Sequence, residues 1–106
     1  MKHIKLFESW SLKDKQQNLY VVKNGEHTLR SEGGMTSNRS ENNNVLEFST
    51  GDILYVDITS GSLGDRYEIQ KVEVKGDEIN FLGDKVTIWR MEYSRPDWFK
   101  SLERYK

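Results

Sequence analysis

Gly64-Asp65-Arg66-Tyr67-Glu68-Ile69-Gln70-Lys71-Val72-Glu73-Val74-Lys75-Gly76-Asp77-Glu78-Ile79-Asn80-Phe81-Leu82-Gly83-Asp84-Lys85-Val86-Thr87-Ile88-Trp89 is the stretch whose punctuation decides the fold. Gly-Asp occurs three times in it, and once before it at Gly51-Asp52. Glycine first and aspartate second suits a two-residue type II′ turn. Gly76-Asp77 therefore separates a strand over 66–75 from one over 78–82, and Gly83-Asp84 separates that strand from one over 85–93. The expectation is a three-stranded antiparallel meander. Tyr67 and Ile69 share one face, but the next apolar pair is Val72 and Val74. The phase slips by one at Gln70-Lys71, and a β-bulge there would absorb the extra residue. In the last strand Val86 and Ile88 occupy one face while Trp89, Met91 and Tyr93 occupy the other, so both faces need cover.

Working outward, Asn24-Gly25 lies between two apolar runs and reads as a type I′ hairpin turn. Leu54, Val56 and Ile58 alternate as a half-buried strand should. The strands expected are 9–13, 18–23, 26–31, 45–49, 52–59, 65–75, 78–82 and 85–93. About seven or eight short antiparallel strands on tight turns favour a small up-and-down barrel or strongly curled sheet, because closure removes exposed edges. The alternative is an SH3-like barrel from 45–93 with an added N-terminal hairpin. Ser94-Arg95-Pro96-Asp97 reads as a helix start. Trp98, Phe99, Leu102 and Tyr105 follow at helical spacing, so a short C-terminal helix is expected over 95–105. Residues 1–8 read as an N-terminal arm or short helix. Residues 31–44 hold one apolar side chain and read as a mobile polar loop.

Length and composition agree with this all-β reading. The 106 residues make one domain, and alanine, the best helix former, is absent. Cysteine is absent too, which removes disulfides, thiolate metal sites and cysteine nucleophiles. Net charge is −1 but unevenly spread. Residues 1–44 are net +2, 45–94 net −5 and 95–106 net +2, so the middle is a poor phosphate-binding surface. No apolar run reaches the length of a membrane-spanning helix. The first ten residues lack the apolar core of a secretory signal. A cytoplasmic or intravirion location is expected.

The chemistry-bearing residues are sparse. His3 and His27 stand alone, and the Gly-Asp pairs lack the spacing of a calcium loop. There is no nucleophile elbow, phosphate loop or HExxH motif. The chain is therefore expected not to be an enzyme and to need no cofactor or metal. Trp10, Tyr20, Tyr55, Tyr67, Phe81 and Trp89 lie on expected strands and are the candidate lining of a small apolar ligand site. Arg95, Trp98, Phe99, Lys100, Arg104 and Tyr105 interleave basic and aromatic side chains near the C-terminus. They are the candidate partner-binding residues, and such a segment also suits nucleic acid. The competing reading of that segment is an amphipathic cap over the strand that is apolar on both faces.

Two resemblances bear on function. Trp10-Ser11-Leu12, Leu46-Glu47-Phe48, Tyr67-Glu68-Ile69 and the run 79–88 resemble the strand plan of small bacterial lipocalin-like domains. That family places a glycine two positions before the early tryptophan, where this chain has Glu8, and usually carries a secretion leader. The resemblance implies a barrel with an apolar pocket lined by the aromatics above. Met1-Lys2-His3-Ile4-Lys5-Leu6-Phe7-Glu8-Ser9-Trp10 is similar to the N-termini of small tailed-phage proteins. In some phage internal head proteins a segment of this kind directs packaging, which implies a phage-encoded accessory component. The leading expectation is a non-enzymatic β-barrel that binds a protein partner as a structural or accessory component. A lipocalin-like binder of a small apolar ligand is the alternative, and nucleic-acid binding through the C-terminal helix the second. No membrane partner is expected.

Overall fold

The computed structural model describes residues 9–32, 44–62, 64–91 and 95–106. In chain order these form β1 (Ser9–Ser11), α1 (Leu12–Lys15), a 3₁₀ turn (Gln16–Asn18), β2 (Leu19–Val22), β3 (Glu26–Arg30) and β4 (Val45–Ser49). There follow β5 (Ile53–Gly61), β6 (Gly64–Lys75), β7 (Glu78–Arg90), a second 3₁₀ turn (Asp97–Ser101) and β8 (Leu102–Arg104). The protein is thus mostly antiparallel β-structure.

The meander exists, but as β5, β6 and β7. Gly76-Asp77 makes the expected two-residue turn: Lys75 pairs with Glu78 across it, and Gly76 takes the positive φ of +58° that such a turn needs. Gly83-Asp84 does not turn the chain. It lies inside β7, so the separate strands expected over 78–82 and 85–93 are one. Ile69 faces Val86 while Lys71 faces Leu82, so one residue of β6 is opposed by residues 83–85 of β7. A register shift does fall at Gln70, but its surplus residues lie on β7: β6 carries no extra residue, so the slip expected to be absorbed there instead turns Val72 and Val74 to the other face. The Gln70 side-chain amide donates to the Gly83 carbonyl at 2.7 Å and ties the two sides together. Gly64-Asp65 is likewise not a turn but the start of β6, with Gly61 opposite Gly64.

Unbroken alternation along β6 divides the apolar side chains between two faces. On one face Leu54, Val56, Tyr67, Ile69, Val86 and Ile88 form a core with Val22. The β3–β4 ribbon covers it by contributing Leu29, Leu46 and Phe48. On the other face Leu19, Val72 and Ile79 form a smaller core, flanked by Leu12, Tyr55 and Phe81. Burying each such side chain stabilises by about 1.5–3 kcal/mol.

The sheet order is β1-β7-β6-β5-β2-β8, with β3-β4 as a separate pair. Its end strands do not pair with each other, so among the described residues there is no closed barrel, neither up-and-down nor SH3-like over 45–93. Closure would need an enclosed interior, and here the ribbon lies across the face that a barrel would wrap. Strand 45–49 belongs to that ribbon, while β2 and β8 extend the sheet in its place. Nor do β2 and β3 form a hairpin across Asn24-Gly25. Both edges of β2 are taken, by β5 and β8, so the turn carries the chain from the sheet into the ribbon.

The expected helix over 95–105 is a 3₁₀ turn of five residues followed by β8. The physical reason is the edge of β2. Lys23 N–H donates to Ser101 O at 2.7 Å and Tyr105 N–H to Leu19 O at 3.0 Å, extending the β2–β8 ladder in both directions. A helix would leave those β2 groups without strand partners. The first strand is also shorter than 9–13, because Leu12 begins α1. The expected arm at 1–8, the cap residue Ser94 and most of the loop 31–44 lie outside the described residues. The loop's ends are pinned: Ser31 N–H donates to Asn44 O at 3.1 Å and Glu32 N–H to Thr87 O at 2.8 Å.

Candidate functional site

The ribbon is paired on its inside edge and open on its outside edge. Ser31 and Asn44 continue the β3–β4 register as a hydrogen-bonded pair. Alternation along an antiparallel ladder then turns the backbone N–H and C=O groups of Val45, Glu47 and Ser49 away from β3. Ser49 is satisfied locally: its N–H donates to the Asp52 carboxylate at 2.9 Å, and its carbonyl accepts from Asp52 N–H at 3.0 Å. Val45 and Glu47 find no such backbone partner among the described residues.

A groove runs along this edge. One hollow of about 520 Å³ is lined by Glu26, His27, Glu47, Phe48, Asp52 and Lys71. A second, of about 540 Å³, adjoins it through Glu47 and Lys71 and continues past Val45, Leu82, Gly83 and Asp84. The floor is placed by the bulge, which brings Leu82 and Asp84 beside β4 instead of into a turn. Val45 is 41% exposed and Leu82 42% exposed, among the most exposed large apolar side chains described. Lys71 is engaged by Asp52 at 3.6 Å. His27 is half-buried with its ring 5.2 Å from Phe48.

The six aromatics expected to line a ligand pocket do not come together. Tyr67 is fully buried in the ribbon-covered core, with Tyr20 at its margin. Tyr55 and Phe81 pack edge-to-face at 5.3 Å against the opposite core. Trp89 lies at the surface under the Arg66 guanidinium, 5.4 Å from the ring centroid. Trp10 has its backbone opposite Ile79, far along β7 from Trp89. Alternation itself separates them: Tyr67 shares a face with Val56 and Val86, whereas Tyr55 and Phe81 share the opposite face with Val72 and Ile79.

Five of the six residues expected to meet a partner are turned to internal work. Trp98 and Phe99 pack against the ribbon-covered core, with ring centroids 5.6 and 6.3 Å from Tyr67. The Arg95 guanidinium reaches the buried Asp65 carboxylate at 3.3 Å and the Tyr67 hydroxyl at 3.2 Å. Arg104 donates to Gln17 O at 2.7 Å and covers the Tyr20 ring. Tyr105 borders the smaller core. Lys100, the sixth, pairs at 3.7 Å with an exposed Asp97. The amphipathic cap is what this segment forms, with a 3₁₀ turn and strand in place of the helix.

Among the described residues no three His, Asp or Glu side chains are gathered for a metal ion, and no helix is long and apolar enough to cross a membrane. Tyr55 sits half-buried beside the smaller core. Burial raises its phenol above the ordinary 10.0, and the Asp57 and Glu68 carboxylates push in the same direction. The folded state thus favours the neutral phenol. Stability from this residue is complete below the ordinary value and falls as alkali ionises the unfolded chain first. Urea unfolding at rising alkaline pH is expected to show a steeper loss for the wild type than for Tyr55→Phe; equal slopes would remove Tyr55 as the cause.

The groove residues were missed by sequence reasoning. The one local signal was the adjacent pair Phe81-Leu82, which cannot both face inward from a strand. No protein-family model, curated protein or solved structure matches the chain.

Proposed function

We propose that the chain is a non-enzymatic protein-binding component that takes up an extended segment of its partner as an added strand along β4. One observation carries this reading: an unpaired strand edge, at Val45 and Glu47, opens onto a groove floored by exposed Leu82. Strand addition gives affinity through main-chain hydrogen bonds and specificity through alternate side chains. The free edge supplies the first and the groove supplies the second. The similarity of residues 1–10 to the starts of small tailed-phage proteins supports an accessory role in a phage particle. A lipocalin-like pocket has less support, since its aromatics are split between two cores. Nucleic-acid binding through 95–105 has less as well, since Arg95 and Arg104 are bonded internally.

The test is selection of random peptides on the protein, followed by hydrogen exchange on the complexes. Selected peptides are expected to slow exchange of the Val45 and Glu47 amides at least about tenfold. Glu47→Pro removes an outward-facing donor at a position where an edge strand tolerates proline, and is expected to abolish binding while leaving the fold intact. Selected peptides that leave those two amides unprotected would overturn the proposal, as would a selection that yields none.

A further inference from the structure

We infer that the segment taken up along β4 alternates basic and apolar side chains. The inference rests on the strand-addition reading and specifies the partner's chemistry. Among the described residues that line it, the groove carries Glu26, Glu47, Asp52 and Asp84 against one cation, Lys71, and Asp52 already occupies that cation. Glu26, Glu47 and Asp84 have no ion pair among the described residues. Three carboxylates around one groove, from β3, β4 and β7, repel an acidic segment and attract a basic one.

The apolar half of the pattern follows from the pleat. Successive side chains of an added strand point to opposite sides, with like-facing positions about 6.6 Å apart. On the sheet side they meet exposed Leu82 and the stem of Lys71, where an aliphatic side chain packs. On the outer side they stand beside Glu47 and within reach of Glu26, where Lys or Arg finds a carboxylate. Val45, also on the outer side, packs against the stems of those basic side chains. A uniformly basic segment would leave Leu82 without apolar cover, and a uniformly apolar one would leave the carboxylates unused.

The experiment is fluorescence anisotropy with labelled peptides of about eight residues, the length of an ordinary strand. One alternates Lys and Val, one alternates Glu and Val, and one is the Lys–Val peptide N-methylated on alternate backbone nitrogens. The Lys–Val peptide is expected to bind about tenfold or more tighter than the Glu–Val peptide, the combined effect of two exposed ion pairs. The preference should shrink as salt is raised and be lost in the double variant Glu26→Gln, Glu47→Gln. Equal or tighter binding of the Glu–Val peptide overturns the charge inference and leaves strand addition standing. Undiminished binding of the N-methylated peptide overturns strand addition while charge recognition stands. Failure of every peptide to bind overturns both.

Discussion

Replacing Gly64 with alanine is expected to destabilise the protein by about 4 kcal/mol or more, a large share of the roughly 5–15 kcal/mol that holds a domain together. Gly64 opens β6 at φ +129°, a conformation that L side chains rarely adopt. The space is closed as well. A methyl group there would fall on the Arg90 carbonyl oxygen, 2.8 Å from Met91 Cα and 2.9 Å from the Arg90 carbonyl carbon. These neighbours are backbone, so no side chain can swing aside. Relief requires β6 and β7 to separate where Asp65 pairs with Arg90, beside the ion pair of Asp65 with Arg95. Gly76 supplies the control. Its φ is also positive, but nothing lies within 4 Å of the added methyl, so Gly76→Ala carries the backbone term alone, about 1 kcal/mol. Urea unfolding of both variants separates strain from collision. Comparable losses at the two sites would show that Arg90 does not crowd Gly64.

The second large effect is expected at Tyr67. Its side chain is fully buried, and it joins three parts of the molecule. Its ring meets Trp98 and Phe99 from the C-terminal segment, its hydroxyl meets Arg95, and its core neighbours come from the sheet and ribbon. Tyr67→Ala leaves a ring-sized cavity and should lower stability by about 3–5 kcal/mol. Tyr67→Phe keeps the ring contacts and loses a hydrogen bond to a half-exposed guanidinium, a cost of about 1 kcal/mol. Urea titration checks both values, and the alanine variant should also show its tryptophan fluorescence shifting toward that of exposed indole. An alanine variant as stable as the phenylalanine variant would mean that the core refills around the missing ring.

Much of the strand plan was legible, because strand position is a local property. Val45–Ser49 matches its expected bounds, the Gly76-Asp77 turn sits where glycine chemistry put it, and the slip at Gln70-Lys71 marks a true register shift. Strand partnership was less legible, because it depends on apolar faces distant in sequence. Asn24-Gly25 has ideal hairpin chemistry, yet β2 pairs with β5 and β8. Gly83-Asp84 has the same dipeptide as a turn and serves a bulge, since Phe81, Val86 and Ile88 all find cover if β7 runs straight through. The C-terminal stripe Trp98, Phe99, Leu102 and Tyr105 reached the core as expected, but an open β2 edge outweighed helical periodicity. The groove could not be found at all without knowing which edge of β4 is left unpaired.

The strand order also dictates an assembly sequence. β5, β6 and β7 adjoin in the chain and in space, so their contacts close short loops. β1 reaches β7, and β8 reaches β2, only by joining residues separated by most of the chain: Trp10 to Ile79 and Tyr20 to Arg104. Such closures cost more chain entropy and slow the search for the native state. The meander is therefore the natural kernel of folding, and both outer strands are late arrivals. β2 in particular stays one-sided until residues 102–104 dock beside it, so its pairing with β5 must hold before the sheet is complete.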